Sequence, residues 1–306
     1  MHIKGIAVYL MVSIGVTSLA GPALANAGLI MFEDPDLLNN LLFVALLWTP
    51  ALGTLVASLA APSGDYPRPR LWPIPAGPAM RIALVVFGAF VVTHVIIAYV
   101  GWTQPQWGMS ASMSRINAMM FQPLSGPVTA IAPMVALIGG ALLSIVLGAT
   151  LFALAALGNE LGWRGYLLPR LMPLGRPAAY ALVGVFWFVW ALPLLYLSFS
   201  GIESTQDFWG LVPRVAIMML LLSVVLGEIQ RRRSHVGLAA VGLGSFFAQA
   251  YEGVWQYLFP IPVEPWTGSF GVVAIAVWAA LALFPVIVAG RAEGEGDAAP
   301  ETVPET

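Results

Sequence analysis

The stretch IAPMVALIGGALLSIVLGATLFALAAL, residues 131–157, runs 27 residues without a charge. A helix crosses the hydrocarbon core of a bilayer with roughly 20 apolar residues, so this run is long enough to span it. Its polar and apolar side chains do not alternate, which argues against a barrel strand. Seven further segments of the same character surround it, near 5–30, 40–62, 80–102, 178–199, 208–230, 236–259 and 269–290. A helix satisfies its own backbone hydrogen bonds in lipid. The pattern predicts an all-α polytopic membrane protein, a bundle of about eight transmembrane helices.

Composition agrees. The chain has 306 residues, 59% hydrophobic and 9% charged, with a mean hydropathy of +0.86. A soluble domain carries about a quarter charged residues. Cysteine is absent, which excludes disulfides and thiolate metal sites. A net charge of −2 gives no case for nucleic acid, and the partner that composition implies is the lipid bilayer. Residues 1–290 read as one transmembrane domain, and 291–306, rich in Glu, Gly, Pro and Ala, read as a disordered, solvated tail. No internal repeat points to a transporter of two related halves.

The loops sort by charge. Lys4, Arg68, Arg70, Arg81, Arg170, Arg176, the Arg231–Arg233 cluster and Arg291 fall on alternate ends of the spans. The opposite ends hold Glu33, Asp34, Asp36, Glu203, Asp207 and Glu264, with Arg115 and Arg214 the basic exceptions. Basic loops favour the cytoplasm, so both termini and the acidic tail are expected there, in the plasma (inner) membrane. The segment from Ile6 to Leu19, followed by Ala-x-Ala triplets at 23–27, can also be read as a cleaved signal peptide. Losing that span would spoil the charge alternation. The preferred reading is a first helix bent near Gly21-Pro22.

Ionisable groups at bilayer depth are costly, about 2.5–3.5 kcal/mol even on the lenient insertion scale, so each needs a reason. His94, inside an apolar run, is either a ligand or base or a satisfied structural donor. Glu228 precedes the arginine cluster, and its i,i+4 spacing predicts a pair with Arg232. Glu252 falls near an outer end beside Tyr251 and Trp255 and reads as interfacial. Trp102, Trp107, Trp209, Trp255 and Trp266 also fall near outer ends and read as an aromatic belt. Glu160 and Arg164 stand four apart on one helical face and can pair.

The segment around that last pair carries more. Asn159-Glu160-Leu161-Gly162-Trp163-Arg164-Gly165-Tyr166-Leu167-Leu168-Pro169-Arg170-Leu171 resembles the first signature of the CAAX protease and bacteriocin-processing family. These are membrane endopeptidases related to type II CAAX prenyl proteases, and their first signature reads Glu-Glu-Leu-Gly-Trp-Arg-Gly-Tyr-Leu-Leu-Pro-Arg-Leu. The match holds from Glu160 through Leu171 and departs at Asn159. Trp187-Phe188-Val189-Trp190-Ala191-Leu192-Pro193 is similar to the second signature, an aromatic run ending Trp-His-Leu-Pro. Leu226-Gly227 and Arg231-Arg232-Arg233-Ser234 are similar to the turn before the third, which places a His and an Asn four apart in the next span. The resemblance covers roughly 156–250 inside a family-like core of about 130–260.

The resemblance implies a CAAX-protease-like bundle with a peptide-hydrolase site that retains Glu160 and Arg164. It also implies which chemistry is missing. The family's first Glu, taken to activate water, is Asn159 here, and the second-signature His is Ala191. The third-signature His and Asn fall at Gly244 and Ala248, or at Ser245 and Gln249 in a register one later. Asparagine has no carboxylate to take a proton, and a general base typically contributes 10²–10⁴-fold. The family is often described as a metalloprotease family, but a zinc site takes three or four ligands, and of the three His only His94 falls in a span. No metal and no other cofactor are expected.

Three readings follow. The first is a catalytically degenerate member that binds a membrane peptide or a prenylated partner. The second is an active endopeptidase with a rearranged site around Glu160, drawing on His94, Ser245 or Gln249. The third is a transporter or channel, for which Pro133 and Gly139-Gly140 would supply a broken helix.

Overall fold

A computed structural model describes residues 3–26, 37–62, 70–102, 133–199, 205–251, 255 and 268–296. Each of the eight apolar segments is helical over most of its described residues. They form α1 (Ile3–Asn26), α2 (Leu37–Leu47), α3 (Thr49–Ala60), α4 (Ala76–Val100), α5 (Pro133–Ala149), α6 (Leu151–Glu160), α7 (Arg176–Phe199), α8 (Thr205–Arg233), α9 (Val236–Tyr251) and α10 (Val272–Gly296). Among the described residues, five helical segments are long and apolar enough to cross a membrane, and α2 with α3, bent by 42°, passes the same test only as a pair, as a broken span or a re-entrant loop. Among the described residues, the apolar stretches Val236–Ala250 of α9 and Val272–Phe284 of α10 are shorter than a full span. The chain is an integral multi-pass membrane protein of all-α fold. α10 continues to Gly296, past residue 290 where the apolar run ends, and residues 297–306 lie outside the described ones.

Two of the expected spans are interrupted. Between α2 and α3, Pro50 takes a first-turn position, where its missing N–H is no loss. Thr49 Oγ1 donates to the Leu46 carbonyl at 2.8 Å, and Trp190 Nε1 donates to that same hydroxyl at 2.8 Å. In the 131–157 run the break falls at Thr150, not at the Gly139-Gly140 pair, which α5 carries through unbroken. α1 runs continuously through Pro22 and packs on α3 and α7. Its Tyr9, Ser13 and Thr17 are fully buried.

The centre of the bundle is α9. It packs against α4, α5, α6 and α8, and nearly every residue from 236 to 250 is buried. Without a hydrophobic drive between helices in lipid, small residues let backbones approach and gain van der Waals contact. Gly244 shows how close that approach is, because a methyl group there would run into the backbone of Phe152 and Ala153. Across the α5 interface, a methyl on Gly148 would sit 2.8 Å from the Ser245 Cα.

Candidate functional site

After Glu160 the helix widens. Leu161–Leu167 is a π-helix, closed by the Leu168 N–H reaching back five residues to the Trp163 carbonyl. Such widened turns are rare and often sit at functional sites. The two glycines before and inside it are packing positions. A methyl on Gly158 would enter the Trp48 side chain, and one on Gly162 would enter Pro50. The bend between α2 and α3 thus receives the end of α6 and the π-turn.

This packing puts Glu160 and Arg164 at zero exposure. Arg164 Nη1 donates to Glu160 Oε1 at 2.7 Å, the expected i,i+4 pair. The guanidinium carbon also lies 4.3 Å from the centre of the Trp187 ring, a cation–π contact. Tyr9 from α1 closes the other side, edge-on to Trp163 and stacked on Tyr166. Trp190 meets Trp163 at 6.1 Å. Asn159 is fully buried, and neither its oxygen nor its nitrogen finds a hydrogen-bond partner among the described residues. The same holds for Glu160 Oε2 and for Arg164 Nε and Nη2.

Ala191 lies one turn beyond Trp187 on α7, and both line a cavity of about 60 Å³. The opposite wall comes from Leu243, Phe246 and Phe247 of α9. The tryptophans of α7 apart, every lining side chain is purely apolar, and neither Asn159 nor Glu160 is among them. Trp187 stands between the two compartments, carrying Arg164 over its ring and lining the cavity.

The positions aligned by the resemblance with the third signature face elsewhere. Gly244 meets α6, while Ser245 and Ala248 meet α5 at Gly148. The α9 residues that face Ala191 and stand four apart are Leu243 and Phe247. Spacing alone leaves the helix free to rotate by one residue, about 100°, and only the packing fixes which face meets the cavity.

Gln249 and His94 belong to a second polar group. Gln249 Nε2 donates to Ser144 Oγ at 3.0 Å, and Trp255 Nε1 donates to Gln249 Oε1 at 2.9 Å. The His94 ring stacks on Trp255, with centroids 4.8 Å apart, and His94 Nδ1 lies 2.8 Å from the Phe90 carbonyl. These partners share no residue with those of Glu160. Trp255 is therefore buried at 9% exposure and does not join an aromatic belt, because its indole N–H is taken by Gln249. Trp102 and Trp209 are exposed, and Trp107, Trp266 and Glu252 lie outside the described residues.

No group of three His, Cys, Asp or Glu among the described residues is placed to hold a metal. The residues here do not fit one: Glu160 is committed to Arg164, and His94 sits among Phe90 and Trp255.

Residues 140–252, just over a third of the chain, match the family model for type II CAAX prenyl endopeptidase Rce1-like proteins. The chain carries an Rce1-like domain. The match encloses the Glu160–Leu171 signature, and its family is the one that signature resembles. The Rce1-like domain begins inside α5 and ends just after α9, so it contains the pair, the π-turn, Ala191 and most of the cavity wall, with Phe43, Leu47 and Phe270 added from outside it. No curated protein matches the chain.

Proposed function

We propose that this CAAX-protease-like membrane protein binds an apolar membrane peptide or a prenylated tail without cutting it. The observation that carries this is the separation of the two compartments. The cavity beside Ala191 is walled by apolar side chains and excludes Glu160, which is bound to Arg164 behind Trp187. Peptide hydrolysis needs an activated water and donors for the oxyanion. The cavity wall offers no carboxylate and no imidazole among the described residues.

The test is a fluorogenic farnesylated peptide, followed for cleavage by dequenching and for binding by polarisation. Binding without turnover is expected, and Ala191→Trp, which fills the cavity, should abolish the binding. Cleavage by the natural chain that disappears in Glu160→Ala would overturn this reading. It would favour the rearranged site, which has one observation of its own: the buried polar atoms of Asn159, Glu160 and Arg164 without protein partners could together hold a water.

Both termini are placed in the cytoplasm in this reading. The Val236 N–H donates to the Arg70 carbonyl at 2.9 Å, and His235 Nε2 lies 3.0 Å from the Pro73 carbonyl. The basic loop before α4 and the one after α8 therefore meet at one end of the bundle, consistent with a single cytoplasmic face. A cysteine at the exposed Ser234 should react with an impermeant maleimide only in inverted vesicles. Labelling in intact cells would reverse the orientation.

A further inference from the structure

A groove of about 330 Å³ opens on the bundle's outer surface between α4, α8 and α10, away from the Rce1-like cavity. Its walls are apolar, with Val85 and Val86 on one side, Val225 and Ile229 at the base, and Trp278 and Phe284 opposite. Val85 is 56% exposed and Phe284 69%, so the groove faces the surroundings of the bundle. One end carries Arg81, Arg232 and Arg233, with Glu228 as the only acidic lining residue among the described residues.

Glu228 is already committed. It accepts from Tyr180 Oη at 2.7 Å, from Arg231 Nη2 at 2.9 Å and from Arg232 Nε at 3.0 Å. Arg81 and Arg233 are exposed and have no carboxylate partner among the described residues. A hydrocarbon slot ending in uncompensated guanidinium groups is complementary to a molecule with acyl chains and an anionic head. Guanidinium forks suit phosphate oxygens. Basic pockets between transmembrane helices are a recurring way to hold anionic lipid heads.

We infer that this groove is a binding site for an anionic phospholipid, with acyl chains against Val85, Val225 and Trp278 and the phosphodiester on Arg81 and Arg233. A zwitterionic lipid would bring its own ammonium towards the arginines and fit less well. The site does not depend on what the Rce1-like cavity binds.

Native mass spectrometry of the full chain in detergent tests this, titrating phosphatidylglycerol and phosphatidylcholine of identical acyl chains. Phosphatidylglycerol should bind about thirtyfold tighter, in keeping with about 1 kcal/mol for each of two basic residues at a membrane surface. Arg81→Gln with Arg233→Gln should bring it down to the phosphatidylcholine level and leave the latter unchanged. Arg81→Lys with Arg233→Lys retains the charge and should keep most of the preference, which separates loss of charge from misfolding. Val85→Trp should weaken both lipids by narrowing the slot. Equal affinity for the two lipids in the natural chain, or an unchanged preference in the glutamine pair, would overturn the site. Displacement of bound lipid by an equimolar farnesylated peptide would reassign the groove to a peptide and overturn it equally.

Discussion

Glu160–Arg164 and Glu228–Arg232 have the same spacing, the same ion types and nearly the same contact distance, 2.7 and 3.0 Å. Their surroundings differ. Both members of the first pair have zero exposure, and the carboxylate serves one guanidinium. In the second, Glu228 is buried but shared among Arg231, Arg232 and Tyr180, with the two arginines 30% and 42% exposed. Burial removes the alternative partners that water would supply, so the first pair is obligatory and the second replaceable. An i,i+4 rule cannot tell these cases apart, because it describes the helix surface and not what packs on it.

The difference can be broken most directly at Arg164. Removing one member of a buried pair leaves the other uncompensated and costs about 3–5 kcal/mol. Arg164→Ala should lower the detergent melting temperature sharply, read by tryptophan fluorescence, and it also removes the cation that covers Trp187. A melting temperature unchanged within error would show that the pair contributes nothing. The double change Glu160→Leu with Arg164→Met should recover part of the loss, because no lone charge is left behind.

The second pair should respond less. Glu228→Gln keeps an acceptor for the Tyr180 hydroxyl while removing the negative charge that faces the arginines, and should cost about 1–3 kcal/mol, as for a hydrogen bond to a charged group. Arg232→Ala should be the mildest, about 0–1 kcal/mol and smaller still at high salt, since Arg231 remains to hold the carboxylate. An Arg232→Ala loss as large as that of Arg164→Ala would erase the distinction between the two regions.

The sequence made the helices legible because a bilayer sets a length that soluble cores do not. Each apolar run of that length became helix. The interruptions were less legible. Pro50 and Thr49 are ordinary residues until Trp190, 141 positions later, donates to the Thr49 hydroxyl. The π-turn has no period of its own in the sequence, although Gly158 and Gly162, four apart and flanking Glu160, signal a close approach.

At the site, local spacing was read correctly and long-range facing was not. Both arginine pairs at i,i+4 are present, but Arg231 and Tyr180 as further partners of Glu228 were not foreseen. The tyrosine comes from a helix that meets α8 only in the fold. Trp255 was misread as a belt residue for the same reason: its place near the end of an apolar run says nothing of Gln249 and His94 beside it. The resemblance put the third-signature positions at Gly244 and Ala248 or at Ser245 and Gln249, whereas the α9 residues four apart that line the cavity with Ala191 are Leu243 and Phe247. Gln249 apart, α9 is apolar or small on every side, so hydropathy alone gives it little preferred rotation.

That uniformity has a consequence for how the protein is made. At 16 residues and 1.5 Å rise each, α9 is about 24 Å long, short of the roughly 30 Å hydrocarbon core. It carries Ser245 and Gln249 and many glycines and alanines, a poor sequence for entering lipid alone. Its walls, α4, α5, α6 and α8, all precede it in synthesis. This order predicts that α9 joins a cleft already standing, passing from the insertion machinery to its own earlier segments. In a ribosome-bound chain series, α9 should resist extraction only when those earlier helices are present.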